Sequence, residues 1–432
     1  MLRNYIKIAW RNLNKHKLFS FINIFGLASG MTVCMLAMIK IKDAYDYDTF
    51  HPSSNRTYRI ITNLNRKNGE HFLCASSPLP LAAYLKNNFS QVDKSTSVYF
   101  ARYEVTVDDK KLSAKEAFAS ADFYTIFGFK LIAGYPAIKP QTVVLTTETA
   151  ERFFGKQNPI GRTITIGNSV GFVVTGILGK PPFPSHLKFD MLASSSAVPL
   201  LQEDKTRHDW SDEAAAYTYI QLNAGASNEA LQNILKNASK QVNTIISPSG
   251  KNFVFDPQPL DKISPGTKPM YNTTDEPIFP NLVVLALLGI AMLLLAFFNY
   301  VNLTLARSLD RAREVGIRKV AGALRQHLVL QFLSESVLVA ILAFALAYLQ
   351  LRLISTLPTV NRIIGDATQD KKLWLYYIVF TILTGLFAGW IPAKVLSSFQ
   401  PVRVLKGKFN TRLFGGVGLR KTLTVIQLPH LL

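Results

Sequence analysis

Four long apolar stretches constrain this chain more than any other feature of its sequence. They cover residues 18–39, 281–305, 328–351 and 373–393 and contain almost no charged side chains. Because an α-helix rises about 1.5 Å per residue, each stretch is long enough to cross the roughly 30 Å hydrocarbon core of a membrane. The first stretch exceeds the apolar region of a signal peptide, and no small-residue cleavage site follows it. We therefore predict a membrane protein with four transmembrane α-helices.

The basic residues are concentrated beside these stretches. The chain has 48 Lys/Arg and 28 Asp/Glu, a net charge of +20, yet residues 40–280 carry 26 of the former and 23 of the latter. This distribution is typical of the positive-inside rule and argues against nucleic-acid binding as the origin of the charge. We expect residues 1–17, 306–327 and 394–432 to be cytoplasmic, and 40–280 and 352–372 to lie outside. The topology predicts a multi-pass bacterial plasma-membrane protein with cytoplasmic termini and a large periplasmic domain.

The large domain, residues 40–280, is polar, mixed in charge and long enough to form a core of its own. Strands are expected at 56–64, 142–147, 162–167 and 171–178, and helices at 78–88, 147–155 and 226–243. We predict an α+β domain of two lobes. No nucleophile or metal motif is present, so we predict no catalytic, cofactor-binding or metal site. His51, His186 and His208 are scattered along the sequence, and we interpret them as structural.

Two amphipathic segments lie outside the apolar stretches. As a helix, residues 1–17 would have an apolar face on one side and a basic face on the other. This pattern predicts a helix lying on the anionic inner leaflet. Between the second and third stretches, the helical spacing i, i+3, i+4, i+7 is occupied by Ile317, Val320, Ala321 and Leu324. This segment is either another interfacial helix or a coupling helix whose apolar face docks a cytoplasmic protein. Gly316 and Gly322 would permit close backbone approach there.

Three residues within the apolar stretches are candidates for special roles. Gly26 and Gly30 form a GxxxG motif, which predicts close packing of the first span against another helix. Glu335 is a carboxylate within the third stretch, and intramembrane acids are functional candidates by default. Because Glu335 lies near the cytoplasmic end, snorkelling or pairing with a basic loop residue also explains it, and we favour that structural interpretation.

The sequence contains no GxxxxGK[ST] motif and therefore no phosphate-binding loop of the ATPase type. We expect a chain that is not itself an enzyme and binds no cofactor. If ATP drives it, another polypeptide must bind ATP and Mg²⁺ and hydrolyse the nucleotide.

Several segments together resemble the MacB/FtsX/LolC-type permeases of ABC transporters, especially the large forms found in Bacteroidetes. The segments that carry the resemblance are residues 7–30, 44–60, 152–166, 173–192, 297–336 and 389–407. The most specific is FFNYVNLTLARSLDRAREVGIRKVAGALRQHLVLQFLSES at 297–336. The central domain looks like the family's periplasmic core domain.

The resemblance implies one span before and three spans after a periplasmic domain, a cytoplasmic ABC ATPase subunit, and pairing with a second permease module. It also implies that the loop between the second and third spans receives the push of the ATPase and moves the periplasmic lobes, a mechanism called mechanotransmission. The residues matching that coupling segment are Arg313, Glu314, Gly316, Ile317, Arg318, Lys319 and Gly322.

The resembling Bacteroidetes permeases carry a second half, and GLRKTLTVIQ at 418–427 looks like its beginning. We therefore expect this chain to correspond to the first half of such a permease.

Three functions remain open from the sequence. The first is export of an amphipathic substrate such as a lipoprotein, a peptide or an antibiotic-like compound, with a periplasmic adaptor or an outer-membrane protein as a further partner. The second is an FtsX-like transmitter that activates a periplasmic cell-wall hydrolase without transport. The third is a membrane sensor, which we rank last because the basic tail offers no output domain.

Overall fold

The described residues of the computed structural model are 2–108, 110–167, 170–201, 209–357 and 371–398. They fall into two units. We call Asp43–Pro280 the outer unit, and the described residues up to Lys42 and from Asn281 onwards the membrane unit.

Long helices dominate the membrane unit. Those lying wholly or largely in it are α1 (Leu2–Lys15), α2 (Lys17–Asp46), α8 (Phe279–Ala306), α9 (Ser308–Val320), α10 (Arg325–Ser355) and α11 (Lys371–Ser397). Within the described ranges, α2, α8, α10 and α11 are long and apolar enough to cross a membrane. The prediction of one span before and three spans after a large domain is therefore confirmed. The helices exceed the predicted apolar stretches by one to seven residues at their ends.

Small residues allow the spans to pack closely. A Cβ atom on Gly30 of α2 would lie 3.2 Å from the carbonyl oxygen of Met292 on α8. A Cβ atom on Gly26 would meet the Asn299 side chain at 3.4 Å and no other described residue beyond its own helix. A second GxxxG pair, Gly385 and Gly389 of α11, packs more tightly against α10. Interfaces between membrane helices favour such residues because backbone approach increases van der Waals contact.

The outer unit is a mixed α and β domain. Its strands are β1 (Thr57–Arg66), β2 (His71–Cys74), β3 (Val92–Ala101), β4 (Glu104–Val107), β5 (Lys110–Ser113), β6 (Glu116–Ala119), β7 (Leu131–Gly134), β8 (Thr142–Thr146), β9 (Thr163–Ile166), β10 (Val170–Leu178), β11 (Met191–Ser194), β12 (Tyr217–Leu222) and β13 (Lys251–Pro259). Its helices are α3 (Leu81–Asn88), α4 (Asp122–Phe127), α5 (Thr147–Phe154), α6 (Val198–Leu201) and α7 (Asn228–Ile246).

The strands form one ladder in the order β13-β1-β12-β3-β6-β11-β8-β10-β9-β4-β5, with β2 paired to β1 and β7 paired to β10. Strand β3 joins the two halves, because β12 pairs with its beginning and β6 with its end. In the first half, β1 lies between β12 and β13 and is antiparallel to both. In this register Arg59 of β1 stands directly opposite Tyr219 of β12.

Helix α7 covers the first half of the ladder, and its amphipathic sequence explains why. Helical spacing puts Leu231, Ile234, Leu235 and Ala238 on one face, and all four are buried in one core cluster with strand residues. The helix begins after Ser227, whose hydroxyl accepts a hydrogen bond from the backbone N–H of Ala230 at 3.1 Å. That bond satisfies one of the free N–H groups of the first turn.

Candidate coupling site

Helix α9 separates the second and third spans, and its two sides differ in burial. Ala312 and Val315 are buried among other residues of the membrane unit. On the other side, Ile317, Val320 and Leu324 of the predicted apolar stripe are 59%, 69% and 61% exposed, Leu324 lying in the turn after the helix. Exposed apolar side chains in a row mark a surface for another protein or for lipid.

An ion pair links α9 to the third span. The guanidinium of Arg311 donates to both carboxylate oxygens of Glu335 on α10, Nη2 to Oε1 at 2.5 Å and Nη1 to Oε2 at 3.0 Å. Both side chains are mostly buried, with 21% and 10% of their surfaces exposed. Glu335 thus has a basic partner from the loop, and its charge is neutralised at the end of the span. A bidentate pair fixes the orientation of both partners as well as their separation.

Further hydrogen bonds attach α9 to the third and fourth spans. Arg318 donates to the side chain of Gln331 on α10 and pairs with Glu314 one helical turn earlier at 2.6 Å. Lys319 Nζ donates to the backbone carbonyl of Ser397 at the end of α11, at 2.8 Å. A movement of α9 would therefore pull on α10 and α11 together.

The remaining residues of the predicted coupling segment have different positions. Gly316 is buried in α9, and Gly322 has a left-handed φ of 90° in the turn between α9 and α10. Among the described residues, no atom beyond the chain neighbours of Gly322 lies within 4 Å of a Cβ built on it. Its conformation rather than close contact therefore requires glycine there. Arg313 belongs to α9, but its side chain lies outside the described residues.

The outer unit contains an open cleft of about 440 Å³. The lining residues that carry hydroxyl groups are Ser95, Thr96, Ser97, Ser120 and Ser195. Several of them already donate to backbone carbonyls, as Ser95 Oγ does to Ala82 at 2.7 Å. The lining combines these hydroxyl groups with apolar side chains such as Leu79 and Val198, so it offers both polar and apolar contacts to a ligand.

A buried cluster of charged and polar groups follows α2. The carboxylate of Asp48 accepts hydrogen bonds from His51 Nε2 at 2.9 Å, His186 Nδ1 at 2.6 Å and Ser185 Oγ at 2.7 Å. Burial alone would raise the pKa of Asp48, but the two histidines outweigh it and hold that pKa well below its usual range. Although His51 and His186 are far apart in the sequence, the fold brings both of them to one carboxylate. His208 lies outside the described residues.

Asp48, His51 and His186 are also a candidate metal-ligand set, since one ligand atom from each lies within 4.8 Å of the others. The geometry nevertheless favours hydrogen bonds. The two histidines approach different oxygens of the carboxylate at hydrogen-bonding distances, and Ser185 and His186 add donors to the same group. The other nitrogen of His51 donates to the carbonyl of Phe127 at 2.7 Å, so this ring donates at both nitrogens.

A second buried ion pair precedes α8. Arg59 Nη2 donates to Glu276 Oε1 at 2.9 Å, and both side chains are essentially inaccessible. Gln258 accepts two further hydrogen bonds from Arg59, and Thr274 donates to Glu276. Burial would raise the pKa of Glu276, but the Arg59 charge and these hydrogen bonds lower it below its usual value. The sequence does not reveal this pair, because 217 residues separate its members.

Comparison with known proteins identifies the family. A family model described as the MacB-like periplasmic core domain matches residues 20–238, and one described as the FtsX-like permease C-terminal matches residues 286–401. The chain belongs to the ABC permeases of the MacB/FtsX type. Both family models describe parts of a permease. The permease is an inner-membrane protein with a periplasmic domain.

Curated relatives of the permease are longer. It is 24% identical over 269 residues to the "Macrolide export ATP-binding/permease protein MacB" of Bdellovibrio bacteriovorus, covering 61% of this chain and 38% of that protein. It is 20% identical over 422 residues to the "Probable syringafactin export ATP-binding/permease protein SyfD" of Pseudomonas syringae, covering 94% and 59%. The permease thus spans about half the length of the curated relatives it matches.

Solved structures similar to the permease include a domain of a permease protein from Porphyromonas gingivalis, with a TM-score of 0.43 and 18% identity, covering 54% of this chain and 98% of that one. The periplasmic region of MacB from Actinobacillus actinomycetemcomitans has a TM-score of 0.36 and 15% identity, covering 48% and 90%.

Proposed function

We propose that this permease couples ATP hydrolysis by a separate cytoplasmic ABC ATPase to movement of its periplasmic domain, and thereby drives export of an amphipathic substrate. The observation that carries the proposal is the arrangement of α9. Its exposed apolar residues form a docking surface, while Arg311, Arg318 and Lys319 attach the helix to the third and fourth spans.

Each step of the proposed mechanism uses this arrangement. The ATPase contacts Ile317, Val320 and Leu324 on the cytoplasmic side and moves when it binds and hydrolyses Mg-ATP. Because α9 is bound to α10 and α11, its displacement tilts both spans. Their movement reaches the periplasmic domain, which expels the substrate without a requirement for a central pore. In this scheme a second permease module pairs with this one, as the family resemblance implies.

The class of substrate is supported by the relatives' names, which describe macrolide export and, as a probable activity, syringafactin export. These names favour export over the FtsX-like transmitter. The cleft of the outer unit has both hydroxyl groups and apolar side chains in its lining, as contact with an amphipathic molecule would require. A periplasmic adaptor or an outer-membrane protein is a further proposed partner.

The coupling surface is tested by Ile317→Asp in the permease reconstituted with its ATPase. Burying a charge at a central interface position should lower permease-dependent ATP hydrolysis by about tenfold or more. Ile245→Asp is a matched control, because Ile245 is also an exposed isoleucine on a helix, 47% exposed on α7 of the outer unit. Hydrolysis that is unchanged by Ile317→Asp would show that the ATPase docks elsewhere.

A further inference from the structure

The two chain connections of the outer unit converge on one pair of residues. Arg59 of β1 and Tyr219 of β12 stand directly opposite each other in the antiparallel ladder. Both are fully buried, with none of their surface exposed. Arg59 contacts a buried carboxylate, Glu276, directly, and Tyr219 is linked to another, Asp48, through His186. Each carboxylate lies close in sequence to a membrane span.

The first connection is a relay of hydrogen bonds that begins just after α2. This helix ends at Asp46, and Asp48 follows in a left-handed conformation with a φ of 60°. Asp48 accepts from His186 Nδ1 at 2.6 Å, and the other nitrogen of His186 lies 2.7 Å from the hydroxyl of Tyr219. With Nδ1 donating to the carboxylate, Tyr219 donates to Nε2, and the relay from the first span to β12 is complete.

The second connection is shorter. Glu276 lies three residues before α8 begins at Phe279, and its carboxylate pairs with Arg59 Nη2 at 2.9 Å. Arg59 is also held by Gln258 on the neighbouring strand β13. The chain segment that leads into the second span is therefore attached near the beginning of β1.

We infer that the Arg59–Tyr219 pair is the common anchor through which the first and second spans move the periplasmic domain. This inference rests on the proposed function, and it identifies Arg59 and Tyr219 as the residues that position the domain relative to the chain segments entering the spans. Backbone hydrogen bonds between β1 and β12 join the two connections, so a displacement of either span acts on the same two strands. Buried charge pairs suit this role because separating them costs much more than bending an exposed loop.

The test uses the permease reconstituted with its ATPase, with spin labels on introduced cysteines at Lys110 and Lys236. Both positions are exposed, Lys110 on β5 in the second half of the strand ladder and Lys236 on α7, which covers the first half. The natural Cys34 and Cys74 are replaced by alanine. The label-to-label distance is compared without nucleotide and with ADP-vanadate.

Two variants weaken the anchor, and one is a control. Tyr219→Phe removes only the hydroxyl, and Glu276→Gln removes the partner of Arg59. Glu213→Gln breaks the mostly buried Lys251–Glu213 pair, which lies in the same unit but does not touch the anchor. We expect Tyr219→Phe and Glu276→Gln to retain ATP hydrolysis but lose most of the nucleotide-driven distance change, and Glu213→Gln to behave as wild type.

A distance change of wild-type size in both anchor variants overturns the inference and leaves the proposed function standing. A wild-type complex that hydrolyses ATP without any distance change overturns both. If Glu276→Gln prevents folding, the double variant Arg59→Met/Glu276→Leu removes both charges and takes its place.

Thermal unfolding of the full chain in detergent provides a second measurement that needs no ATPase. If the connections share one anchor, Tyr219→Phe and Glu276→Gln together lower the melting temperature by less than the sum of their separate effects. The separate effects of Tyr219→Phe and Glu213→Gln on the melting temperature should add up in the double variant. Additive effects in both pairs contradict a shared anchor.

Discussion

Arg311 on α9 and Glu335 on α10 form a bidentate ion pair at the end of the third span, with Nη2–Oε1 and Nη1–Oε2 separations of 2.5 and 3.0 Å. Glu335→Gln leaves the mostly buried guanidinium without its counter-charge. We expect a loss of about 2 kcal/mol in stability, below the full cost of a completely buried pair because some surface is exposed. Thermal unfolding in detergent measures it.

Glu314→Gln is the control for that substitution. Glu314 pairs with Arg318 on the same helix, but 41% of its side chain is exposed, so we expect a loss of only about 0.5 kcal/mol. The double variant Arg311→Met/Glu335→Leu should recover most of the stability lost in Glu335→Gln. A Glu335→Gln variant as stable as wild type would show that the pair does not hold α9 in place.

Gly389 of α11 tolerates no side chain in the observed packing. A Cβ at this position would lie 1.9 Å from Ser336 Oγ and 2.7 Å from Ser336 Cβ on α10. Gly389→Ala should destabilise the helix bundle by about 1–3 kcal/mol. Ser336→Gly removes both clashing atoms and should restore much of the loss in the double variant.

Gly26→Ala is the matched comparison on α2. Its Cβ would make only ordinary contact with Asn299, at 3.4 Å. We expect little change in melting temperature. Equal effects of Gly26→Ala and Gly389→Ala would contradict the assigned packing of α11 on α10.

Glu116 makes the stability of the outer unit depend on pH. It is completely buried in β6, and among the described residues its Oε1 has no hydrogen-bond partner. Burial raises its pKa from 4.5 to about 7, against a lowering contribution from the backbone N–H of Tyr103. Because the pKa is raised in the folded state, the folded protein retains the proton between about pH 4.5 and about pH 7, where the unfolded chain has lost it. Stability therefore falls as pH rises through that window, by up to about 3 kcal/mol.

Urea unfolding of wild type and Glu116→Gln measures this dependence. At about pH 8 the variant should be more stable than wild type, and at about pH 5 the difference should be much smaller. A difference that is independent of pH would mean that Glu116 is ionised throughout.

Asp48 is expected to stabilise the outer unit through hydrogen bonds rather than through a metal ion. Asp48→Asn leaves His51 and His186 without their shared carboxylate, and we expect a loss of about 3 kcal/mol or more. Wild-type protein treated with a chelator should keep its melting temperature. A drop after chelation, together with stoichiometric zinc in the untreated protein, would contradict the hydrogen-bonded assignment.

Sequence periodicity and charge predicted the features that depend on local pattern. The four spans follow from apolar length, and the stripe of α7 follows from helical spacing, since both depend on neighbouring residues. The Gly385–Gly389 spacing was also readable, but a GxxxG motif alone does not reveal which helix it meets.

The buried charge clusters could not be predicted in the same way. Asp48 and His186 are 138 residues apart, and Arg59 and Glu276 are 217 residues apart. Their meeting depends on the strand order and on the β1–β12 register, which long-range pairing determines. Two of the segments that resemble the family, 44–60 and 173–192, contain Asp48, His51 and His186. The hydrogen bonds among these three residues give the two segments a structural role.

Purification of the permease with a cytoplasmic ABC ATPase tests the central claim most directly. The two proteins are co-expressed and solubilised in mild detergent, and the permease is isolated by affinity tag. We expect the ATPase to co-purify with wild type and with Ile245→Asp, and to be lost from Ile317→Asp. An ATPase that is absent from the wild-type preparation, or equally retained by Ile317→Asp, would contradict the assignment of α9 as the coupling site.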